Sequence, residues 1–179
     1  LTHCLNIIDG NIQQEPDNLP TPGAKPVFDS RPPNVPDGAM LQHFKGVEIK
    51  AAQPCFSPDT AILMDFRCDQ SRGIHFIYLL PYSPTEALVE STMLSPKRQN
   101  DEFYAEAIKT YLETYWATGG WQVNHTEQGC IPMAFVQPVN LDYLPIGANG
   151  GCVRPSSGYA FAFIQKHTDA IVDRLVLSG

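Results

Sequence analysis

From residue 46 onward, apolar and polar positions fall into short runs, each closed by Pro, Gly or Ser. The runs Val47–Lys50, Ala61–Arg67, Ile74–Leu80 and Ala87–Met93 recur about every twelve to fourteen residues, the spacing of an antiparallel meander. In Ile74-His75-Phe76-Ile77-Tyr78-Leu79 both alternating sets are apolar or aromatic, so this strand is expected in the interior of the sheet. After Met93 the period changes. Tyr104, Ile108, Tyr111 and Tyr115, with Phe103, Ala107 and Leu112 beside them, form one stripe at helical spacing. Asn100 stands where a cap is needed, and Asp101 and Glu102 suit the positive end of the helix dipole. Gly119-Gly120 closes this helix, and Trp121–Ile131 reads as one more strand stopped by Pro132. A second helix is expected from about Ser157 to Leu177, with Tyr159, Phe163, Ala170, Ile171 and Leu175 as its apolar stripe.

The region before residue 39 reads differently. Pro16, Pro20, Pro22, Pro26, Pro32, Pro33 and Pro36 remove ladder donors and fix φ, which predicts irregular connection. Within it, Val27-Phe28-Asp29-Ser30-Arg31-Pro32 reads as a short strand stopped by Pro.

Composition narrows the function classes. The chain has 179 residues, 43% of them apolar and 17% charged, enough for a buried core in one or two domains. A formal charge of −7 argues against a nucleic-acid groove. The five cysteines and five histidines are scattered, with no C-x-x-C and no metal-ligand spacing, so reduced thiols and no metal are expected. No signal peptide is legible, and the apolar run Phe76–Pro81 is too short to span a bilayer.

Three groups of residues could carry chemistry. Gly147-Ala148-Asn149-Gly150-Gly151 followed by Arg154-Pro155-Ser156-Ser157-Gly158-Tyr159 is a small-residue loop running into a helix. Such a loop allows close backbone approach, and a helix N-terminus favours a phosphate or an anionic ring; taken alone, a glycine loop before a helix is more often a plain connection. Strand alternation puts Leu88, Glu90 and Thr92 on one face and Ala87, Val89 and Ser91 on the other. If the Leu88 face is buried, desolvation raises the pKa of Glu90 and makes it a proton donor near neutral pH. Otherwise it is a solvated glutamate. Asp65, Arg67, Asp69 and Gln70 read as a solvated turn.

These segments also resemble, in order, the flavin-dependent bacterial and plant lycopene cyclases. The resemblance runs through Phe28-Asp29-Ser30-Arg31-Pro32, Gln42-His43-Phe44-Lys45-Gly46, and Leu63-Met64-Asp65 with Gln70 and Gly73. It continues in Phe76-x-Tyr78-x-Leu80-Pro81, Ser83-Pro84-Thr85, Glu90-x-Thr92 and Ile131-Pro132-Met133. It ends in Ile146–Gly151 with Pro155-Ser156-Ser157-Gly158-Tyr159.

The resemblance implies an α+β chain: an antiparallel-sheet substrate domain over 39–140, flanked by parts of a flavoprotein-monooxygenase-like, Rossmann-type FAD domain at 1–38 and 141–179. It implies a redox-neutral reaction in which an acyclic carotene such as lycopene is protonated at its terminal alkene and closes a ring. Glu90 takes the position of the acid–base residue. Gly147, Gly150, Gly151, Pro155, Ser157, Gly158 and Arg31 take the positions of flavin contacts. It further implies reduced FAD in a non-redox role, peripheral contact with a membrane, and a cytoplasmic or plastid location. The chain departs from the family pattern in three places. No G-x-G-x-x-G follows a strand, so the expectation is of a C-terminal portion without the pyrophosphate-binding turn. Ser91 stands in place of a second acid, and Ala148 stands where many related flavoproteins have Asp. The competing readings are a monooxygenase or prenyl-chain reductase on the same fold, and a truncated, non-catalytic chain that binds an apolar molecule.

Overall fold

The computed structural model describes residues 27–116, 118–137 and 142–177, the last four of these by backbone alone. Most of the Pro-rich segment, through Pro26, lies outside the described residues, as do Cys4 and His3. In chain order the elements are β1 Phe28–Asp29, β2 Leu41–Ala51, β3 Ile62–Asp65, β4 Ile74–Pro81, β5 Glu86–Ser95, α1 Asp101–Tyr115, β6 Trp121–Pro132, β7 Leu144–Pro145 and α2 Phe161–Leu177. They divide into two compact units. Gly38–Pro132 form one, and the flanking segments up to Asp37 and from Met133 form the other.

The first unit is a five-stranded antiparallel sheet in the order β3-β4-β5-β2-β6, with α1 packed on one face. The expected meander holds for β3, β4 and β5. It fails for β2, which passes over its sequence neighbour and inserts between β5 and β6. The lengths of the strands differ in the same sense: β2 pairs along ten residues with β5 and eleven with β6, whereas β3 has only four residues to offer. β4 has neighbours on both sides, as expected, while β5 is the middle strand.

The core under α1 comes from the odd-numbered side of β2, β4 and β5: Val47, Ile49, Ile77, Leu79, Ala87 and Val89, met by Ile108, Tyr111 and Leu112 of the helix. Burying one such aliphatic side chain contributes about 1.5–3 kcal/mol. Asn100 caps α1 through its side chain, which accepts from Phe103 N–H at 3.2 Å. Gly119 and Gly120, both at positive φ, turn the chain into β6.

The two buried histidines of this unit are paired. His43 Nδ1 accepts from the Tyr104 hydroxyl at 2.7 Å, and its Nε2–H donates to Ser95 Oγ at 2.8 Å, whose own proton goes to the Lys97 carbonyl. His75 Nδ1–H donates to the Asp69 carbonyl at 2.9 Å, and its Nε2 accepts from the Ser91 hydroxyl at 2.8 Å. Both rings are fully buried, which favours the neutral imidazole, and in that form each ring donates once and accepts once as given. Burial lowers the pKa of both, as desolvation of a cation must.

In the second unit, β1 pairs in parallel with β7, Phe28 opposite Leu144 and Asp29 opposite Pro145. α2 begins at Phe161, four residues later than the sequence predicts. The intervening residues fold as a tight turn in which the N–H groups of Ser157 and Gly158 both reach the Arg154 carbonyl. Gly158 sits at φ +69, which no helix continues through. Among the described residues no helix is long and apolar enough to cross a membrane.

Candidate functional site

Glu90 lies at the centre of β5, which is itself the central strand. Register places it directly between Tyr78 of β4 and Gly46 of β2, with Glu127 of β6 next beyond Gly46. The next row one way is Phe76, Thr92, Phe44 and Gly129. The next row the other way is Leu80, Leu88, Glu48 and His125. All share one side of the sheet, because side chains alternate. This side is opposite to α1. The alternation expected from sequence is present, but the helix-covered core is on the Ala87, Val89 and Ser91 side.

Glu90 is nonetheless a desolvated carboxyl. It is half-buried, and burial pushes its pKa up; the Thr92 hydroxyl pulls it partly back and the charge of Glu127 adds to the rise. Thr92, fully buried, donates to Glu90 Oε1 at 2.5 Å. Aromatic rings line this side. Phe76 meets Tyr78 edge-on at 5.2 Å and Phe66 at 5.6 Å between centroids. Phe44 lies over Gly129, where an added Cβ would come within 2.5 Å of its ring. A carboxylic acid amid π-faces can protonate an apolar substrate and support the cation that results.

Ser91, at the second-acid position, points to the other side of β5 and is locked to His75. It is part of the packing under α1.

The loop residues from 147 to 158 fall in the other unit and separate by role. Gly147 at φ +60 and Gly151 at φ +73 have open space where a Cβ would stand, so a ligand can approach their backbone. Gly150 does not. A Cβ there would lie 2.7 Å from the Pro145 carbonyl and 2.9 Å from the His167 ring, so its smallness serves internal packing. Gly151 and Pro155, with Arg154, Phe135, Val153 and Phe163, line a cleft of about 290 Å³. Ser157 and Gly158 belong to the adjoining turn, not to the lining of this cleft. Since α2 begins at Phe161, the Pro155–Gly158 segment does not provide a helix N-terminus. Arg31 is engaged within its own unit: Nε and Nη2 each contact the Asp29 carboxylate at 2.8 Å. Asp29 is fully buried, and this pairing lowers its pKa.

Of the cluster that the sequence reads as a solvated turn, Arg67, Asp69 and Gln70 are exposed, but Asp65 is not. Asp65 accepts from Arg67 Nε and Nη2 and from the Tyr111 hydroxyl at 2.7 Å. Its side chain is only 8% exposed. Arg67 holds its pKa far below the usual carboxylate range. Gln70 clamps the backbone of His75, donating to its carbonyl at 2.6 Å and accepting from its N–H at 3.1 Å. Met64, at φ +52, lies where the β3–β4 register shifts between Ile62 and Asp65. A cleft of about 480 Å³ lined by Arg67, Arg72, Phe103, Tyr111 and Tyr115 lies along α1, away from Glu90. Sequence reading missed this clamp and the two buried histidines; a polar residue amid an apolar run was their one signal.

The family model described as Lycopene cyclase protein matches residues 15–179. The chain belongs to the lycopene cyclase family. Within that family, the lycopene beta-cyclase of a Paracoccus species is 30% identical over 140 residues, 73% of this chain and 35% of its own length. That of Pantoea ananas is 29% identical over 163 residues, 86% of this chain and 41% of its own. That of Pseudescherichia vulneris is 29% identical over 141 residues, 74% of this chain and 36% of its own. The chain thus spans well under half the length of these lycopene cyclases. A solved structure of a geranylgeranyl bacteriochlorophyll reductase-like protein from Thermoplasma acidophilum aligns with 79% of this chain and 41% of its own, at 12% identity and a TM-score of 0.49.

Proposed function

We propose that the chain is the carotene-protonating part of a lycopene cyclase, with Glu90 as its acid–base residue. The observation that carries this reading is the raised, Thr92-bonded carboxyl of Glu90 at the centre of an aromatic and aliphatic sheet face. In the proposed reaction the Glu90 proton adds to the terminal alkene of an acyclic carotene. The cation that forms is attacked by a neighbouring double bond, which closes a six-membered ring. Loss of a proton then gives a cyclic isomer of unchanged mass. Nothing is oxidised or reduced between substrate and product, and a Glu90 carboxylate can take the proton back. Phe44, Phe76 and Tyr78 lie in and beside the Glu90 row, where their π-faces favour a developing cation. The carotene comes from lipid, so peripheral membrane contact belongs to the proposal.

A reduced flavin would supply electron-rich stabilisation of the cation without net electron transfer. Gly147, Gly151 and Pro155 fit one edge of such a group, because the two glycines leave their backbone open and Gly151 and Pro155 line a cleft. Gly150 and Arg31 do not serve as direct contacts in this reading, since their surroundings already engage them. Ser157 and Gly158 would shape the loop.

The test is a product assay on the intact protein with lycopene in membranes, reduced flavin and no oxygen. A cyclic isomer of unchanged mass supports the reading. Consumption of reductant or oxygen with a hydrogenated or hydroxylated product replaces it with a reductase or monooxygenase. Unchanged lycopene with flavin bound rules out lycopene as the substrate.

A further inference from the structure

We infer that Glu127 is a positioning residue for Glu90: its carboxylate, admitted over β2 by the missing side chain of Gly46, holds the proton on Glu90. The inference rests on the proposed role of Glu90 as proton donor.

Glu90, Gly46 and Glu127 stand in one row across β5, β2 and β6. Neighbouring strands lie about 4.8 Å apart, so the two glutamate backbones are separated by about 10 Å. The Glu127 side chain closes part of that gap. A Cβ built on Gly46 would lie 3.0 Å from both Cγ and Oε1 of Glu127, and 3.3 Å from Leu88. Glu127 therefore lies across β2 toward β5, in the space that any larger residue at 46 would fill. Gly46 has no need of glycine on conformational grounds, as its φ lies outside the left-handed region. Its smallness matters for what lies over it.

Among the described residues in the strand register of this face, no Lys or Arg stands nearer to Glu90 than Lys50. Tyr78 flanks Glu90 on β4, Glu48 and His125 stand one row away, and Tyr82 follows β4. Lys50, two rows off, is bound to Glu86 at 3.4 Å. Lys45 is on the other face with Asp101 at 3.3 Å. A negative charge near a carboxyl disfavours its ionisation. Glu90 is half-buried where Glu127 is exposed, so burial already disfavours a charge on Glu90, and a carboxylate lying over Gly46 adds to that penalty. The same repulsion drives Glu90 to recover a proton after giving one up. Direction agrees: burial is the main cause that raises the pKa of Glu90 and of Tyr82, and the charge of Glu127 adds to both rises, with Glu48 at Tyr82.

The deciding measurement follows Glu90 itself. In the intact protein, labelled at glutamate carboxyls, the protonated C=O stretch is titrated by infrared spectroscopy, and the Glu90 band is assigned by its loss in Glu90→Gln. In Glu127→Gln the Glu90 band should titrate at lower pH, and in Glu127→Asp the shift should be smaller. Gly46→Ala should act in the same direction by displacing Glu127, and adding Glu127→Gln to it should do little more. Because Glu127 is exposed, raising the salt concentration should shrink the difference. A Glu90 titration unchanged by Glu127→Gln at low ionic strength overturns the inference. The reaction reading fails or stands separately, in the lycopene assay with the unaltered protein. If rings form, the alkaline limb of the rate profile should move with the infrared titration in Glu127→Gln; rings with an unmoved limb also overturn the inference.

Discussion

The Thr92 hydroxyl donates to Glu90 Oε1 at 2.5 Å, two residues along the same strand and on the same face. Strand geometry brings i and i+2 together, so the pair is built by local sequence alone. A hydroxyl donating to a carboxylate favours the charged form. Thr92 therefore opposes burial and keeps Glu90 from becoming too weak an acid to give up its proton. Thr92→Val should move the Glu90 titration to higher pH, and Thr92→Ser should leave it near the parent value. Infrared titration of the assigned band checks both.

Glu90→Gln should separate activity from stability. A general acid contributes about 10²–10⁴ in rate, so ring formation should fall by at least about 100-fold while flavin binding persists. The folded pKa of Glu90 lies above its unfolded value. The stability linked to that proton is thus full below the unfolded pKa and lost as pH rises through the folded one. At neutral pH the native carboxyl is a burden on folding, and Glu90→Gln should raise Tm there. Thermal melts near pH 7 and near pH 4 test the sign, with the gain shrinking at the lower pH.

The buried histidines predict the opposite pH trend. His43 and His75 have folded pKa values below the ordinary 6.5. The unfolded chain binds their protons first, so stability is full above that value and falls as pH drops below it. Urea midpoints followed from about pH 7.5 to about pH 5 should decrease, and His75→Gln should flatten part of the slope. An unchanged slope would remove His75 from this account.

Asp65→Asn should destabilise the sheet unit by about 1–2 kcal/mol, the range for a hydrogen bond to a charged group discounted for the exposed Arg67. Asp65 also holds the Tyr111 proton, and burial with this bond pushes the Tyr111 pKa up to about 12. Urea unfolding of Asp65→Asn, Tyr111→Phe and the double variant should show coupling, because Tyr111→Phe removes the bond that Asp65→Asn weakens.

The glycine loop predicts a contrast between neighbours. Gly150→Ala forces a Cβ to within 2.7 Å of the Pro145 carbonyl and should loosen the 144–167 segment. Gly151→Ala meets open space and pays only for positive φ, about 1–2 kcal/mol. Hydrogen exchange at Ile146, Cys152 and Gly158 should rise more in Gly150→Ala.

The local periods along the chain determined most of its elements. The stripe from Tyr104 to Leu112, the Asn100 cap and the alternation through Glu90 are set by neighbours in sequence, and the structure has them. The order of motifs was also enough to point to the lycopene cyclase family. Tertiary structure decided what periodicity has no access to. It placed β2 between β5 and β6, which pair along nearly its whole length as the four-residue β3 could not. It put α1 on the Val89 side of β5, so Glu90 is desolvated by its own row and not by the helix. It turned Asp65 from a surface turn into a clamp, because Tyr111, 46 residues away, supplies the partner. It also gave Gly46 and Gly150 their meaning, since the atoms that fill the space beside a glycine come from strands and helices distant in sequence.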